Sequence, residues 1–132
     1  MKKIHKVAWM TFRDGKVLLA RSADKDVFYT LGGKIEEGES DVEALVREVG
    51  EEVGVDLLPE SLEYLHTFTE QAHGQPDGVM VEIKIYSGEG DGDFAPFAEI
   101  AEIEWFDTSD MERVSPTAQI VLAWLAEEGY IN

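Results

Sequence analysis

An α/β fold with a mixed sheet is predicted by two amphipathic helical stretches set among several short strand-like apolar runs, with no repeat, low-complexity tract or long linker to divide them. At 132 residues the chain is the size of one domain and can bury a core, so residues 1–132 are read as a single domain. Residues 4–12 read as a first strand, Arg13-Asp14-Gly15-Lys16 as a hairpin turn, and residues 17–20 as its partner. Residues 27–30 add a short strand before the first helix. Beyond that helix, residues 62–71 and 79–86 read as two strands flanking the polar turn 73–78. Residues 88–93 form a glycine-acid loop, residues 103–107 another strand, and residues 116–128 a final helix with Ile120, Leu122, Trp124 and Leu125 on its apolar surface.

The first helix has the clearest boundaries. Ser40 followed three residues later by Glu43 is a capping box, the hydroxyl accepting from an orphan amide while the glutamate reaches back, so the helix should begin at about Asp41. Val42, Leu45, Val46, Val49 and Val53 then recur at helical spacing and make one apolar stripe to bury against a sheet. Gly54 follows as the expected left-handed terminator. Glu48 and Glu52 are four residues apart and Glu48 and Glu51 three, so three carboxylates gather on one rim beside that stripe. Like charges this close repel and raise one another's pKa, whereas a hard, oxygen-seeking divalent cation converts the repulsion into ligation. On an arbitrary acidic helix the same acids would more often be a solvated face, with Arg47 pairing to Glu43 or Glu51.

The surrounding spacing reverses that preference. From Gly33 the chain places Gly33, Glu39, Arg47, Glu48, Glu51, Glu52 and Gly54 in the pattern G-x5-E-x7-R-E-U-x-E-E-x-G-U, with Val49 and Val55 in the aliphatic slots. Seven identities of this kind arise by chance in roughly one window in a billion at average residue usage, so the pattern is not accidental. It resembles a complete Nudix box, and the chain is identified as a MutT-like member of the Nudix hydrolases. The resemblance implies an α/β/α sandwich with a mixed sheet and a loop-helix-loop catalytic motif. It also implies hydrolysis of a diphosphate linked to another moiety, by attack of water at phosphorus with magnesium, or alternatively manganese, as cofactor. Carried over to this chain, Glu48, Glu51 and Glu52 resemble metal ligands, joined by the carbonyl of Gly32, while Arg47 orients the glutamates and Glu39 supports the loop or the metal site. Where many relatives carry a proline ahead of the paired glycines this chain has Leu31, which implies a less stiff loop; Glu37 reads as solvated.

A second acidic segment, Glu99-Ile100-Ala101-Glu102-Ile103-Glu104-Trp105-Phe106, matches the place where relatives carry a further metal-binding or basic glutamate ahead of a strand. Glu99 occupies that position, with Glu102 the alternative; an ordinary alternating strand with its acids in water is the competing reading. The general base is therefore Glu48 or Glu99.

Composition narrows the partners. A formal charge of -17 disfavours a nucleic-acid polymer or an anionic membrane surface, since each phosphate contact would oppose the protein's field. A small anionic nucleotide or other diphosphate remains compatible once bound cations invert the local sign. The chain has no cysteine, hence no disulfide or thiol chemistry, and its apolar run at residues 7–12 is too short for a signal peptide or membrane span. A cytoplasmic location is the default expectation, and a homodimer is compatible with it.

Substrate choice must come from outside the box. Arg21 matches a position where relatives place a basic residue near the phosphates, and Phe28 and Tyr29 are candidates for stacking on a base, although aromatics there more often join the core. The start of the last helix, Ser115-Pro116-Thr117-Ala118-Gln119, lacks the asparagine that MutT-like enzymes use to read oxidised guanine. Among the histidines, only His73 stands in a loop suited to substrate contact. The expected activity is metal-dependent cleavage of a nucleoside triphosphate or related nucleoside diphosphate derivative. The alternatives are a Nudix hydrolase of a non-nucleotide diphosphate, such as an isoprenoid or sugar derivative, and a catalytically silent ligand-binding module.

Overall fold

The computed structural model describes residues 3–72 and 75–132; His73 lies outside the described residues. Strands β1 (Lys3–Met10), β2 (Phe12–Arg13), β3 (Lys16–Ser22) and β4 (Tyr29–Lys34) precede helix α1 (Asp41–Val53). After it come β5 (Asp56–Leu57), β6 (Glu63–Gln71), β7 (Met80–Ser87), β8 (Gly90–Asp91), β9 (Ile100–Phe106) and helix α2 (Pro116–Glu127). The main sheet runs β2-β3-β4-β1-β7-β6, with β9 also paired to β3. It is mixed: β1 and β7 are parallel, whereas β1–β4, β3–β4, β3–β9 and β6–β7 are antiparallel.

Strand alternation divides the core into two layers, one on each face of this sheet. Val7 and Trp9 of β1 face Leu45, Val49 and Val53 of α1, while Ala8 and Met10 face Val121, Leu122 and Leu125 of α2. The result is an α/β/α sandwich, as expected. The capping box is present, Ser40 accepting from the Glu43 amide and Glu43 from the Ser40 amide, and Gly54 ends the helix at φ 71°.

Several local expectations are corrected. The strand placed at residues 27–30 starts at Tyr29 and continues to Lys34, so Gly32 and Gly33 lie in β4 rather than in a loop, opposite Ala8 and Val7. Leu31, in the proline slot, is fully buried opposite Trp9, so the sheet supplies the order that a proline would have supplied. In α1 the buried stripe includes Ala44 and leaves Val42 and Val46 half-buried, because the helix rolls its smallest side chain into the sheet. Ile120 is exposed; Ala118 and Val121 take its place in the core. The glycine-acid loop contains β8, which pairs with β5 just beyond α1.

Candidate active site

Helix α1 carries the acids to the end of β4. Two adjacent glycines let the helix and strand approach: Gly32 adopts φ +144°, and a Cβ on Gly33 would lie 2.6 Å from the Glu48 carboxyl carbon. The Gly32 amide donates to Glu52 Oε1 at 2.9 Å. Arg47 turns back along the same surface and donates from Nε to Glu39 Oε2 at 2.7 Å and from Nη1 to Glu48 Oε1 and Glu51 Oε1, each at 3.0 Å. Its Nη2 donates to Glu39 Oε1 at 2.9 Å and to the Lys34 carbonyl at 3.2 Å. One guanidinium thus organises three carboxylates, and its own pKa is raised further by them, Glu39 foremost.

The electrostatics of Glu39, Glu48 and Glu52 diverge with their surroundings. Arg47 and the Glu36 amide hold Glu39 down to about 2. Glu48 is pushed up by burial, and the charges of Glu51 and Glu99 add to that against the pull of Arg47. Glu52 goes furthest, to about 8: burial is the main cause, Glu48, Glu99 and Glu51 add repulsion, and the Gly32 amide opposes it. Glu99, exposed in the turn before β9, therefore acts on both Glu48 and Glu52 although it is far from them in sequence. Its rival Glu102 is instead tied to Arg21.

Among the described residues no three carboxylate or histidine side chains are gathered closely enough to share one cation as they stand; Glu48 and Glu51 meet at Arg47, while Glu52 turns to the Gly32 amide. The donor set nonetheless fits a hard divalent ion: carboxylate oxygens, two of them with raised pKa values that an adjacent cation would bring down.

The titration of Glu52 has a measurable consequence for the metal-free protein. Its folded pKa of about 8 lies above the ordinary 4.5, so between these values the folded state holds a proton that the unfolded chain has released. Stability is therefore expected to fall as pH rises through this window, on the order of a few kcal/mol, and to level off above it. Glu39 acts in the opposite sense only between about 2 and 4.5. Denaturant melts between about pH 5 and pH 8 with a chelator present check the slope, which saturating magnesium should flatten.

Beside Glu52 opens a cavity of about 420 Å³ that passes between the sheet and the start of α2. Tyr29, 39% exposed, lines it, as do Lys6, Lys25, Gln75 and Thr117. Two expected substrate contacts are corrected. Phe28 is buried at 4% exposure with its ring 4.8 Å from that of Phe106, so it belongs to the core and has no face free for a base. Arg21 is spent on Glu102, at 2.9 and 2.6 Å, and on the carbonyls of Ser22 and Lys25, and does not line the cavity. Its effect is indirect: it fixes the loop that carries Lys25. Ser115 is in the wall, but its hydroxyl accepts from the Ala118 amide to cap α2.

Sequence reasoning missed Lys6 and Lys25, which no motif marks, and Asp41, which accepts from Tyr86 Oη at 2.8 Å and from Lys84 Nζ at 3.3 Å and so pins the start of α1 to β7.

The NUDIX domain model matches residues 3–125. The chain belongs to the Nudix hydrolase family. Over 108 residues, 79% of this chain and 36% of the relative, it is 36% identical to the NAD-capped RNA hydrolase NudC of Deinococcus radiodurans. Over 60 residues, 42% of this chain and 44% of the relative, it is 48% identical to the CTP pyrophosphohydrolase of Escherichia coli. The solution structure of the Escherichia coli ORF135 protein is similar with a TM-score of 0.78 at 28% identity, covering 98% of this chain and 93% of that one. The matches span less than half the length of the curated relatives. Among the described residues of this Nudix chain no helix is long and apolar enough to cross a membrane.

Proposed function

We propose that this Nudix protein is a magnesium- or manganese-dependent hydrolase that cleaves a diphosphate linkage in a nucleoside triphosphate or a related nucleoside diphosphate derivative. The observation that carries the reading is Glu52, a half-buried box glutamate hydrogen-bonded to the Gly32 amide and opening onto the cavity, with the charges of Glu48, Glu51 and Glu99 converging on it. Glu48, Glu51 and Glu52, with the Gly32 carbonyl and Glu99, would hold the cation. When bound, it neutralises charge at the phosphate oxygens and makes the attacking water more acidic.

Arg47 keeps Glu48 and Glu51 oriented and anchors them to Glu39. Glu48 or Glu99 takes the proton from water as its oxygen bonds to phosphorus and the bridging P–O bond breaks, the leaving phosphate carrying off the electron pair. The cavity beside Glu52 orients the moiety attached to the diphosphate, and Tyr29 offers it an exposed ring.

The curated relatives are named for CTP and for NAD-capped RNA, which supports a nucleotide as the attached moiety. The net charge of -17 favours a small nucleotide over a polymer and disfavours an anionic membrane. One sheet flanked by α1 and α2 supports reading residues 1–132 as one domain, and a cytoplasmic location accords with the lack of cysteine.

The test is a release assay over nucleoside triphosphates, 8-oxo-dGTP, dinucleoside polyphosphates, ADP-ribose and isoprenoid diphosphates, with and without magnesium or manganese. Metal-dependent release from a nucleotide is expected. Turnover confined to isoprenoid diphosphates, or metal binding by a folded protein that turns over none of the panel, would overturn the reading.

A further inference from the structure

Resting on the nucleotide reading above, we propose that Lys6 is a specificity-determining residue: its ammonium receives an acceptor oxygen of the substrate in the cavity beside Glu52. Lys6 stands where strand alternation calls for an apolar side chain. On the same face of β1, Ala8 and Met10 are buried in the α2-side core and Ile4 packs against it. A lysine in that row places a charge at the edge of the core, on the wall of a cavity otherwise floored by residues such as Val81 and Ile83.

Among the described residues the charge has no carboxylate partner. The chain carries 28 acids against 11 lysines and arginines, yet among the described residues Glu52 is the one acid lining this cavity, while Lys6 and Lys25 supply its positive charge. Lys3 and Lys84 have carboxylate partners, as do Arg21, Arg47 and Arg113; among the described residues Lys6 forms no ion pair, nor does Lys25, the other basic residue of this cavity wall. Its cross-strand neighbour aggravates the imbalance, because Lys6 sits directly opposite Lys34 in the β1–β4 pair, and like charges in that position repel.

An unpaired ammonium donates three hydrogen bonds and accepts none. It favours a keto oxygen or an anionic oxygen and disfavours an exocyclic amine, which would turn its own donors toward it. The source of the oxygen is either a nucleobase carbonyl or a phosphate, and the two separate experimentally.

Binding of UMP, CMP, uridine and cytidine to the wild type and to Lys6→Met is measured by calorimetry without turnover, with Lys6→Arg as the conservative variant. Methionine keeps the unbranched stem and removes the charge. Lys6→Met is expected to weaken UMP binding by about 10- to 100-fold at unchanged melting temperature, with Lys6→Arg retaining most of the affinity. A loss for UMP and uridine that spares CMP and cytidine assigns the oxygen to the base carbonyl that cytosine replaces by an amine, and an equal loss for all four assigns it to the carbonyl that both bases share. An equal loss for UMP and CMP that spares both nucleosides assigns it to the phosphate. Unchanged affinity in Lys6→Met for ligands the wild type binds overturns the assignment of Lys6 alone. Failure of the wild type to bind any of the four overturns this proposal; the nucleotide reading falls with it only if the release assay also finds no nucleotide turned over.

Discussion

Glu52→Gln is expected to reduce turnover by about 10³-fold or more, well beyond the 10- to 100-fold that loss of an outer support typically costs, while leaving the fold intact. Glutamine matches the carboxylate in shape and can still accept from the Gly32 amide, so the hydrogen bond at 2.9 Å is preserved. What disappears is the negative charge, the one property ligation needs. Burial holds the Glu52 pKa at about 8, so the ionised form is the costly state in the metal-free protein. The variant should therefore be no less stable than the wild type near neutral pH, and its stability should lose most of the decline with pH described above. Steady-state kinetics and denaturant melts on the same preparation check both. Retained turnover would sink the metal-site role of Glu52, and a collapsed fold would show that the carboxylate serves structure first.

Arg47→Ala is the second large effect. It should lower kcat by about 10- to 100-fold and, unlike Glu52→Gln, also destabilise the protein, by about 1–3 kcal/mol. Arg47 satisfies Glu39, Glu48 and Glu51 at once, and it is half-buried, so its removal leaves several carboxylates facing one another without a counter-charge. Glu39, held at about 2 by Arg47 above all, should return toward the ordinary carboxylate value, and Glu48 should rise further. Carboxyl NMR titration of Glu39 reads this directly. Arg47→Lys should recover little, because one ammonium cannot reproduce the fork that meets both Glu39 oxygens at 2.7 and 2.9 Å. A Glu39 titration that does not move in Arg47→Ala would show that the Glu36 amide, not the guanidinium, sets its pKa.

The box helix was legible because its determinants are local. Ser40 and Glu43 cap it, Gly54 stops it, and helical geometry alone turns the intervals between Glu48, Glu51 and Glu52 into a shared rim. The strands were legible in kind but less so in extent: β4 swallowed Gly32 and Gly33 because its limits depend on pairing with β1, a partner some 25 residues away in the chain. Phe28 and Tyr29 show the limit most sharply. They are adjacent aromatics, yet one packs on Phe106 and the other faces the cavity, a division that depends on which face of the chain meets the core. Arg21 was misjudged for a related reason, since its partner Glu102 arrives only through the β3–β9 pairing.

The sequence by itself determined the family, the α/β class, the bounds of α1 and the spacing of its acids, all of which follow from short-range geometry and residue chemistry. The tertiary structure alone decided the environment of those acids. It half-buried Glu52 and raised its pKa, brought the charge of Glu99 to bear on Glu48 and Glu52, tied Arg21 to Glu102, and set Lys6 in the cavity wall. The physical reason is that desolvation and charge coupling depend on distances across the sheet, and those are set by strand register between segments that lie far apart in the chain.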